Sequence, residues 1–161
     1  MRSWGNNALE SGAAHPLRFG AHGPVARPGL LHLVTAHDLA ELRHALAKGA
    51  LPLDFEAKLA RLADGSLVQR LIEQNSRLFF ALLLAAEDGC FTEATPAQRE
   101  RLLRVLAYVR KDEDAIPDYK PGGFTDDQEE VRAAATELAP LLHSFKVWRL
   151  RHQVPGMWRA A

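Results

Sequence analysis

The sequence predicts an all-α protein: a compact bundle of four to five helices, with a kinked or broken C-terminal helix and a disordered N-terminal arm. Apolar residues recur at spacings of three and four over most of residues 35–153, which is the period of an amphipathic helix. Capping signals such as Thr95-Pro96-Ala97-Gln98 mark helix starts. Short apolar pairs such as Leu33-Val34 are too few to make a sheet.

Residues 1–34 are predicted to form a flexible arm, because they show no stable apolar period and are rich in glycine and proline. A single helical domain is predicted over residues 35–161. The N-terminal residues also lack the apolar stretch of a secretory signal, so a cytoplasmic location is expected.

Two short helices are predicted first. Thr35 can cap the first helix, with Asp38 in its first turn and Gly49 at its end. Pro52 then breaks the chain, and Asp54 is predicted to cap a helix that runs through Ala63. The apolar faces of these helices consist of Leu39, Leu42 and Leu46 in the first and of Phe55, Leu59 and Leu62 in the second.

The third helix, from Leu67 to about Glu87, is predicted to be the central one, with Ser66 as its cap. Its first half is amphipathic and is expected to turn Leu67, Leu71 and Leu78 inward. Its second half is apolar all round over residues 78–86. This run is far shorter than the roughly 20 residues that cross a bilayer, so it predicts a buried core helix and no transmembrane segment.

Two further helical regions follow. Thr95 and Gln98 form the capping box of a helix that reaches about Arg110. Thr125 and Gln128 repeat the capping pattern, and the last helical region is expected to reach about Gln153. Pro140 interrupts that region and predicts a kink or break near Ala139.

The charge is balanced overall but unevenly distributed. Twenty basic residues match 20 acidic ones, so no net field favours a nucleic-acid or membrane partner. Residues 112–130 carry eight acids and one base, whereas residues 143–161 carry bases and no acid. Cys90 is the only cysteine, which excludes an internal disulfide and fits a reducing compartment.

The acidic segment has a structural interpretation. Asp126 and Asp127 suit the positive end of a helix dipole, and Asp114 and Asp118 suit turns next to prolines. Within this interpretation Gly122 and Gly123 supply positive φ angles, and Ile116 and Phe124 anchor the loop in the core. Pro117 and Pro121 bound its turns.

Two other interpretations use the charge of the aspartates. Asp114, Asp118, Asp126 and Asp127 could converge on Mg²⁺ or Ca²⁺, which require several oxygen ligands, although the spacing differs from an EF-hand loop. Alternatively, Arg149 or Arg151 from the C-terminal helix could pair with the aspartates inside the fold. Beyond the Mg²⁺ or Ca²⁺ alternative, no cofactor is predicted.

The same loop resembles a small bacterial helical family known as domain of unknown function 1232. The resemblance lies in an aromatic residue, an Asp-x-Ile-Pro-Asp run, and then Pro, Gly, an aromatic residue and paired aspartates. The matching residues are Tyr108, Asp114, Ile116, Pro117, Asp118, Pro121, Gly123, Phe124, Asp126 and Asp127. It implies a helical fold but no defined activity. This chain departs from the pattern in a loop about one residue shorter, in Lys111-Asp112-Glu113 where Ser-Pro is usual, and in a polar final helix.

The C-terminal segment is aromatic and basic. Trp148 could pack in the core while the bases stay solvated. Alternatively, the segment could form a docking surface for a protein partner, because Trp and Arg are favoured interface residues. The predicted interface residues are Trp148, Arg149, Arg151, Trp158 and Arg159.

These features predict a non-enzymatic protein-interaction or regulatory module of bacterial type. No nucleophile, phosphate-binding loop or metal-ligand set stands out, so an enzyme is not favoured. The alternative is a divalent-metal-binding protein, including a metal-dependent hydrolase, centred on the loop of residues 112–130. A protein partner is expected, and a homo-oligomer is compatible with the sequence.

Overall fold

A computed structural model of the protein describes residues 30–112 and 116–152. These residues form a short 3-10 helix, Leu30–Leu33, followed by six α-helices and no strand. The helices are α1 Ala36–Ala47, α2 Leu53–Ala63, α3 Leu67–Glu87, α4 Pro96–Arg110, α5 Thr125–Glu137 and α6 Ala139–Arg151. The predicted all-α class is confirmed, and the number of helices is six because the C-terminal helical region is divided in two.

The long helix α3 lies at the centre of the fold, as predicted. Helices α1, α2, α4 and α5 all pack against it. Residues 79–85 of α3 are buried without interruption, because neighbours surround the helix on every side of its second half. None of the helices in the described ranges is both long and apolar enough to span a bilayer.

The first half of α3 differs from the prediction. Leu67 is exposed and Leu71 is 43% exposed, and Leu78 is only partly buried. The inward side consists of Ile72, Ser76 and Phe79 instead. The helical period identified an apolar stripe, but which side of the helix is covered depends on neighbours that are distant in sequence.

The side-chain caps predicted for α1, α3 and α4 are confirmed. Complete capping boxes form at Thr35 with Asp38, at Ser66 with Gln69 and at Thr95 with Gln98. In each box the hydroxyl accepts from a backbone N–H, and the side chain three residues later accepts from the N-cap N–H.

Two predicted caps are wrong. Helix α2 starts after Pro52, and the carboxylate of Asp54 accepts a hydrogen bond from Arg110 at 2.7 Å instead of capping the helix. Helix α5 starts at Thr125, with Phe124 in the N-cap position and no side-chain cap. The turn before α5 explains this, because the N–H of Thr125 already donates to the carbonyl of Gly122 at 2.9 Å.

The predicted break near Pro140 is confirmed. Helix α5 ends at Glu137, and α6 begins at Ala139 with Pro140 in its first turn, where the missing N–H has no helical partner to lose. The described part of α6 ends at Arg151, close to the predicted end.

The packed domain begins earlier than residue 35. Leu30 and Leu31 pack against the core, and the N–H of Leu30 donates to Oε1 of Glu130 at 2.6 Å. The last five residues of the predicted arm, 30–34, therefore belong to the domain. The rest of the arm lies outside the described residues.

The capping box of α1 gives a pH-dependent prediction. Partial burial raises the pKa of Asp38, but hydrogen bonds from Lys111 and Thr35 outweigh burial and leave the pKa lowered. A lowered carboxyl pKa stabilises the fold above the unfolded-state pKa, and this stabilisation is lost as the pH falls through the folded-state pKa. We expect Asp38→Asn to lower the free energy of unfolding by about 1 kcal/mol at pH 7.

The difference between Asp38→Asn and wild type should be smaller at pH 3 than at pH 7, because the stabilisation from the lowered pKa of Asp38 is lost as the pH falls below the unfolded-state pKa and through the folded-state pKa. Urea denaturation followed by circular dichroism at both pH values measures it. Asp64→Asn is a matched control, because Asp64 is exposed and has no ion pair among the described residues. A loss that stays constant with pH would contradict the assignment.

Candidate functional site

A buried lysine from helix α2 lies among the aspartates of residues 112–127, which we call the acidic loop. Helix α2 buries Phe55, Leu59 and Leu62, and Lys58 lies on the same face with only 2% of its side chain exposed. The methylene stem of a lysine can pack among apolar side chains while its charged end reaches a polar group. The stem of Lys58 packs within the apolar face of α2, and its ammonium group reaches the acidic loop.

The Lys58 ammonium group has carboxylates on several sides. Its Nζ lies 2.7 Å from Oδ2 of Asp118, 3.6 Å from Oδ2 of Asp127 and 3.7 Å from Oδ1 of Asp112. It also donates a hydrogen bond to the carbonyl of Lys111 at 2.5 Å. Asp127 is fully buried, and a charge removed from water to this degree is tolerated only where an opposite charge or hydrogen bonds compensate it.

The first aspartate of the pair that opens α5 has different partners from the second. Asp126 is buried, and its Oδ2 accepts hydrogen bonds from the hydroxyl of Tyr108 at 2.7 Å and from the N–H of Ile116 at 3.1 Å. Tyr108 lies on α4 and is itself fully buried. Asp126 therefore joins α4, the loop and the start of α5, while Asp127 faces Lys58.

A close backbone approach explains Gly123. A Cβ atom at this position would lie 2.5 Å from the carbonyl oxygen of Pro117 and 2.7 Å from Cα of Asp118. The neighbouring Gly122 has φ +78°, a conformation that side chains rarely adopt. The predicted positive φ is thus correct for Gly122, whereas Gly123 is required for space.

The remaining loop residues serve as anchors or lie at the surface. Phe124 is half-buried against the core, as predicted, and Ile116 and Pro117 are half-buried. Pro121 is exposed. Asp114 lies outside the described residues, so its predicted role in the loop stays a prediction.

The surroundings of the Asp118 carboxyl change its pKa. Burial raises the pKa of Asp118, the Lys58 ammonium lowers it and the Asp112 carboxylate raises it again, so the pKa stays above its usual value. A raised carboxyl pKa means that the folded state holds the proton more tightly than the unfolded state. Protonation of Asp118 therefore stabilises the fold at low pH, and this stabilisation is lost as the pH rises through the folded-state pKa.

Helix α5 buries a third acid, one turn after Asp126. Glu130 accepts the hydrogen bond from Leu30, and its Oε2 lies 3.7 Å from Nη1 of Arg101 on α4. Sequence patterns favoured a solvated polar helix here, but one face of α5 is built from carboxylates with specific partners. The residues buried on that face are Asp126, Asp127, Glu130, Val131 and Ala134.

The predicted pairing of the loop aspartates with Arg149 or Arg151 is wrong. The cation that reaches the aspartates is Lys58 from α2, and no described aspartate lies within ion-pair distance of either arginine. The sequence did contain a signal for Lys58, since it follows Phe55 by three residues and precedes Leu62 by four. A lysine on an apolar stripe requires a buried partner.

The aromatic part of the predicted interface packs against the core. The Trp148 ring stacks on Phe145, with centroids 5.7 Å apart, and on His152 at 4.8 Å, and it contacts Phe91. The guanidinium of Arg149 lies over the Phe145 ring at 5.9 Å, and Arg151 is exposed. Trp158 and Arg159 lie outside the described residues.

Metal binding was the alternative for the aspartates. Lys58 places a positive charge where Asp118 and Asp127 would hold a cation. In residues 30–112 and 116–152, no three His, Cys, Asp or Glu side chains are grouped closely enough to hold a metal ion. The arrangement neutralises charge and joins three helices to the loop.

Comparison with known proteins does not assign the chain to a family. No family model, no curated protein and no solved structure matches it.

Proposed function

We propose that this chain is a non-enzymatic protein-interaction or regulatory module, of the bacterial type that the loop resemblance implies. Its contact surface is the exposed side of α6, and the acidic loop is an internal structural element. Two features support the proposal. Lys58 compensates the charge of the loop aspartates, whereas the bases of α6 have no acidic partner within the described residues.

One observation carries the proposal, namely the difference between the two charged regions. Asp118 and Asp127 face Lys58, and Asp126 accepts two hydrogen bonds. By contrast, no described carboxylate lies within ion-pair distance of Lys146, Arg149 or Arg151 on α6. Arginine and aromatic side chains are enriched in protein–protein interfaces, and this supports α6 as the contact surface.

The acidic loop contributes little to this surface. Its aspartates at positions 118, 126 and 127 are turned inward, so they stabilise the fold and are poorly placed to meet a partner. Of the predicted interface residues, Arg151 is exposed and Arg149 is partly exposed, so both are proposed to contact the partner. Trp148 instead stacks on Phe145 of the core. Trp158 and Arg159 remain predicted members of the interface.

Site-specific photo-crosslinking in cells tests the proposal. Leu150 on α6 and Leu53 on α2 are both strongly exposed leucines, at 80% and 89%, so a photoreactive phenylalanine derivative can replace either without disturbing the core. We expect a discrete crosslinked protein from position 150 and none from position 53. The partner, identified by mass spectrometry and purified, should bind wild type and should lose binding to Lys146→Glu/Arg149→Glu.

Arg132→Glu is the matched charge-reversal control, because Arg132 is exposed on α5 and should be dispensable. Equal crosslinking from positions 53 and 150, or no product from either, would reject α6 as the contact surface.

Thermal melts distinguish the structural interpretation of the acidic loop from the divalent-metal alternative. We expect thermal melts in EDTA, Mg²⁺, Ca²⁺ and Mn²⁺ to coincide, because Lys58 already supplies the positive charge among the aspartates. Specific binding would instead raise the melting temperature by mass action. A rise that disappears in Asp126→Asn/Asp127→Asn but persists in the exposed-site control Glu129→Gln would establish the metal site and reject the structural role.

A further inference from the structure

We infer that the groove between α3 and α6 takes an acidic, amphipathic helix from a partner protein. The groove has a volume of about 540 Å³, and its lining residues are Leu71, Glu73, Gln74, Asn75, Arg77 and Leu78 from α3 and Lys146 and Arg149 from α6. This inference rests on the proposed function and specifies the chemistry of the partner. Three features of the α3–α6 groove support it.

The first feature is an apolar floor that the described residues leave partly exposed. Leu71 is 43% exposed and Leu78 is partly buried, although both belong to the helix at the centre of the bundle. Within the described residues, α6 packs its aromatic side chains on Phe91 and does not bury these two leucines. Covering apolar surface of this kind favours association.

The second feature is the difference in charge between the two walls. On the α3 wall, Arg77 is already paired, with Glu73 at 2.5 Å and Glu56 at 2.8 Å. On the α6 wall, Lys146 is exposed, and Arg149 is held over the Phe145 ring without a described acidic partner. A ligand therefore meets one neutralised wall and one positive wall, which favours acidic side chains along one flank of the ligand.

The third feature is the spacing of the floor. Leu71 and Leu78 are seven residues apart, two helical turns, and present a row about 10 Å long. A partner helix with apolar residues at positions i, i+3, i+4 and i+7 fits such a row and is a common mode of groove recognition. Acidic residues beside its apolar stripe would face Lys146 and Arg149.

Charge argues against two other occupants. Residues 153–161 of the chain itself carry Arg159 and no Asp or Glu, so this segment does not complement a basic wall. A second copy that docks through the same groove would bring together two surfaces whose linings each carry one acid, Glu73, and three bases, Arg77, Lys146 and Arg149, and this shared positive charge disfavours the contact.

Fluorescence anisotropy with three labelled peptides of about 16 residues and the full-length protein tests the inference, since a helix of this length covers the floor with a turn to spare at each end. One peptide has leucines at helical spacing and glutamates elsewhere, one is its scrambled form, and one has glutamine in place of glutamate. We expect the acidic amphipathic peptide to bind at least roughly tenfold more tightly than the other two, with the advantage falling at high salt. Lys146→Glu/Arg149→Glu and Leu71→Gln should each weaken it by roughly tenfold.

Arg132→Glu and Leu53→Gln are the matched controls and should leave the affinity unchanged, and circular dichroism melts show which variants remain folded. The inference is overturned if the scrambled peptide binds equally well or if Lys146→Glu/Arg149→Glu retains full affinity. It is also overturned if Trp158→Ala tightens binding roughly tenfold, which would assign the groove to the chain's own tail. A concentration-dependent dimer that Leu71→Gln abolishes would assign it to a second copy and overturn it as well.

The two proposals can fail separately. A partner crosslinked from position 150 that binds Lys146→Glu/Arg149→Glu as well as wild type rejects the acidic-helix inference and moves the contact elsewhere on α6. The absence of any crosslinked product from position 150 rejects α6 as the contact surface, and with it the proposed function as stated.

Discussion

Replacing Lys58 by methionine is expected to lower the free energy of unfolding by about 3–5 kcal/mol at neutral pH, the typical cost of removing one member of a buried ion pair. Methionine retains most of the apolar stem and removes only the ammonium group. Asp118 and the fully buried Asp127 would then face one another without the charge that lies 2.7 and 3.6 Å from them. Urea denaturation followed by circular dichroism at pH 7.5 measures the loss.

The same variant carries a pH signature. Lys58 lowers the pKa of Asp118, so without it the folded-state pKa of Asp118 should rise further above its unfolded-state value, and protonation relieves part of the penalty. The difference between Lys58→Met and wild type should therefore be smaller near pH 5 than at pH 7.5. Lys120→Met is a matched control, because Lys120 is exposed in the same loop. A loss for Lys58→Met no larger than for Lys120→Met would show that the cluster is not stabilised by this cation.

Gly123→Ala is expected to lower the free energy of unfolding by about 2–3 kcal/mol, through a clash that no side-chain rotation can relieve. The added methyl group would lie 2.5 Å from the carbonyl oxygen of Pro117 and against the backbone of Asp118. Accommodating it requires the loop to move away from the start of α5, which also separates Asp118 from Lys58. Chemical denaturation and the melting temperature both report the effect.

Gly49→Ala is the comparison for Gly123→Ala. Gly49 has φ +70°, but a Cβ atom there would have no other atom within 4 Å, so alanine costs only the backbone strain, about 1 kcal/mol. Gly123→Ala should therefore be the more destabilising change although its cost is purely steric. Equal losses would contradict the close approach of the two loop segments.

Features encoded locally could be predicted from the sequence. The capping boxes at Thr35, Ser66 and Thr95 depend on residues within four positions of one another, and the break before Pro140 follows from one missing N–H. The apolar run over residues 78–86 of α3 required cover on all sides, and its neighbours bury residues 79–85 completely or nearly so. These features suffice for the all-α class.

Features that depend on distant residues could not be predicted. Leu67 and Leu71 follow the apolar period of α3, but both are exposed because the described part of the chain does not cover them. Thr125 has the sequence of a cap, yet the turn through Gly122 starts the helix one residue earlier than that role allows. With the helix starting at this position, the side chains of Asp126 and Asp127 face inward.

The candidate site was only half predicted for the same reason. The aspartates of the loop stood out by composition, whereas Lys58 lies 60 positions before Asp118, on helix α2. Nothing local joins the two. The position of Lys58 on the apolar stripe of α2 indicates burial, but only the three-dimensional arrangement identifies its partner.

The most direct test of the charge-compensated loop is a double-mutant cycle between Lys58 and Asp118, with Lys58→Met, Asp118→Ala and both together measured by urea denaturation at pH 7.5. We predict a coupling free energy of about 2 kcal/mol, with the double variant no less stable than Lys58→Met alone. Losses that add within about 0.5 kcal/mol would mean that the two groups do not interact, and would contradict the role of Lys58 as the partner of the loop aspartates.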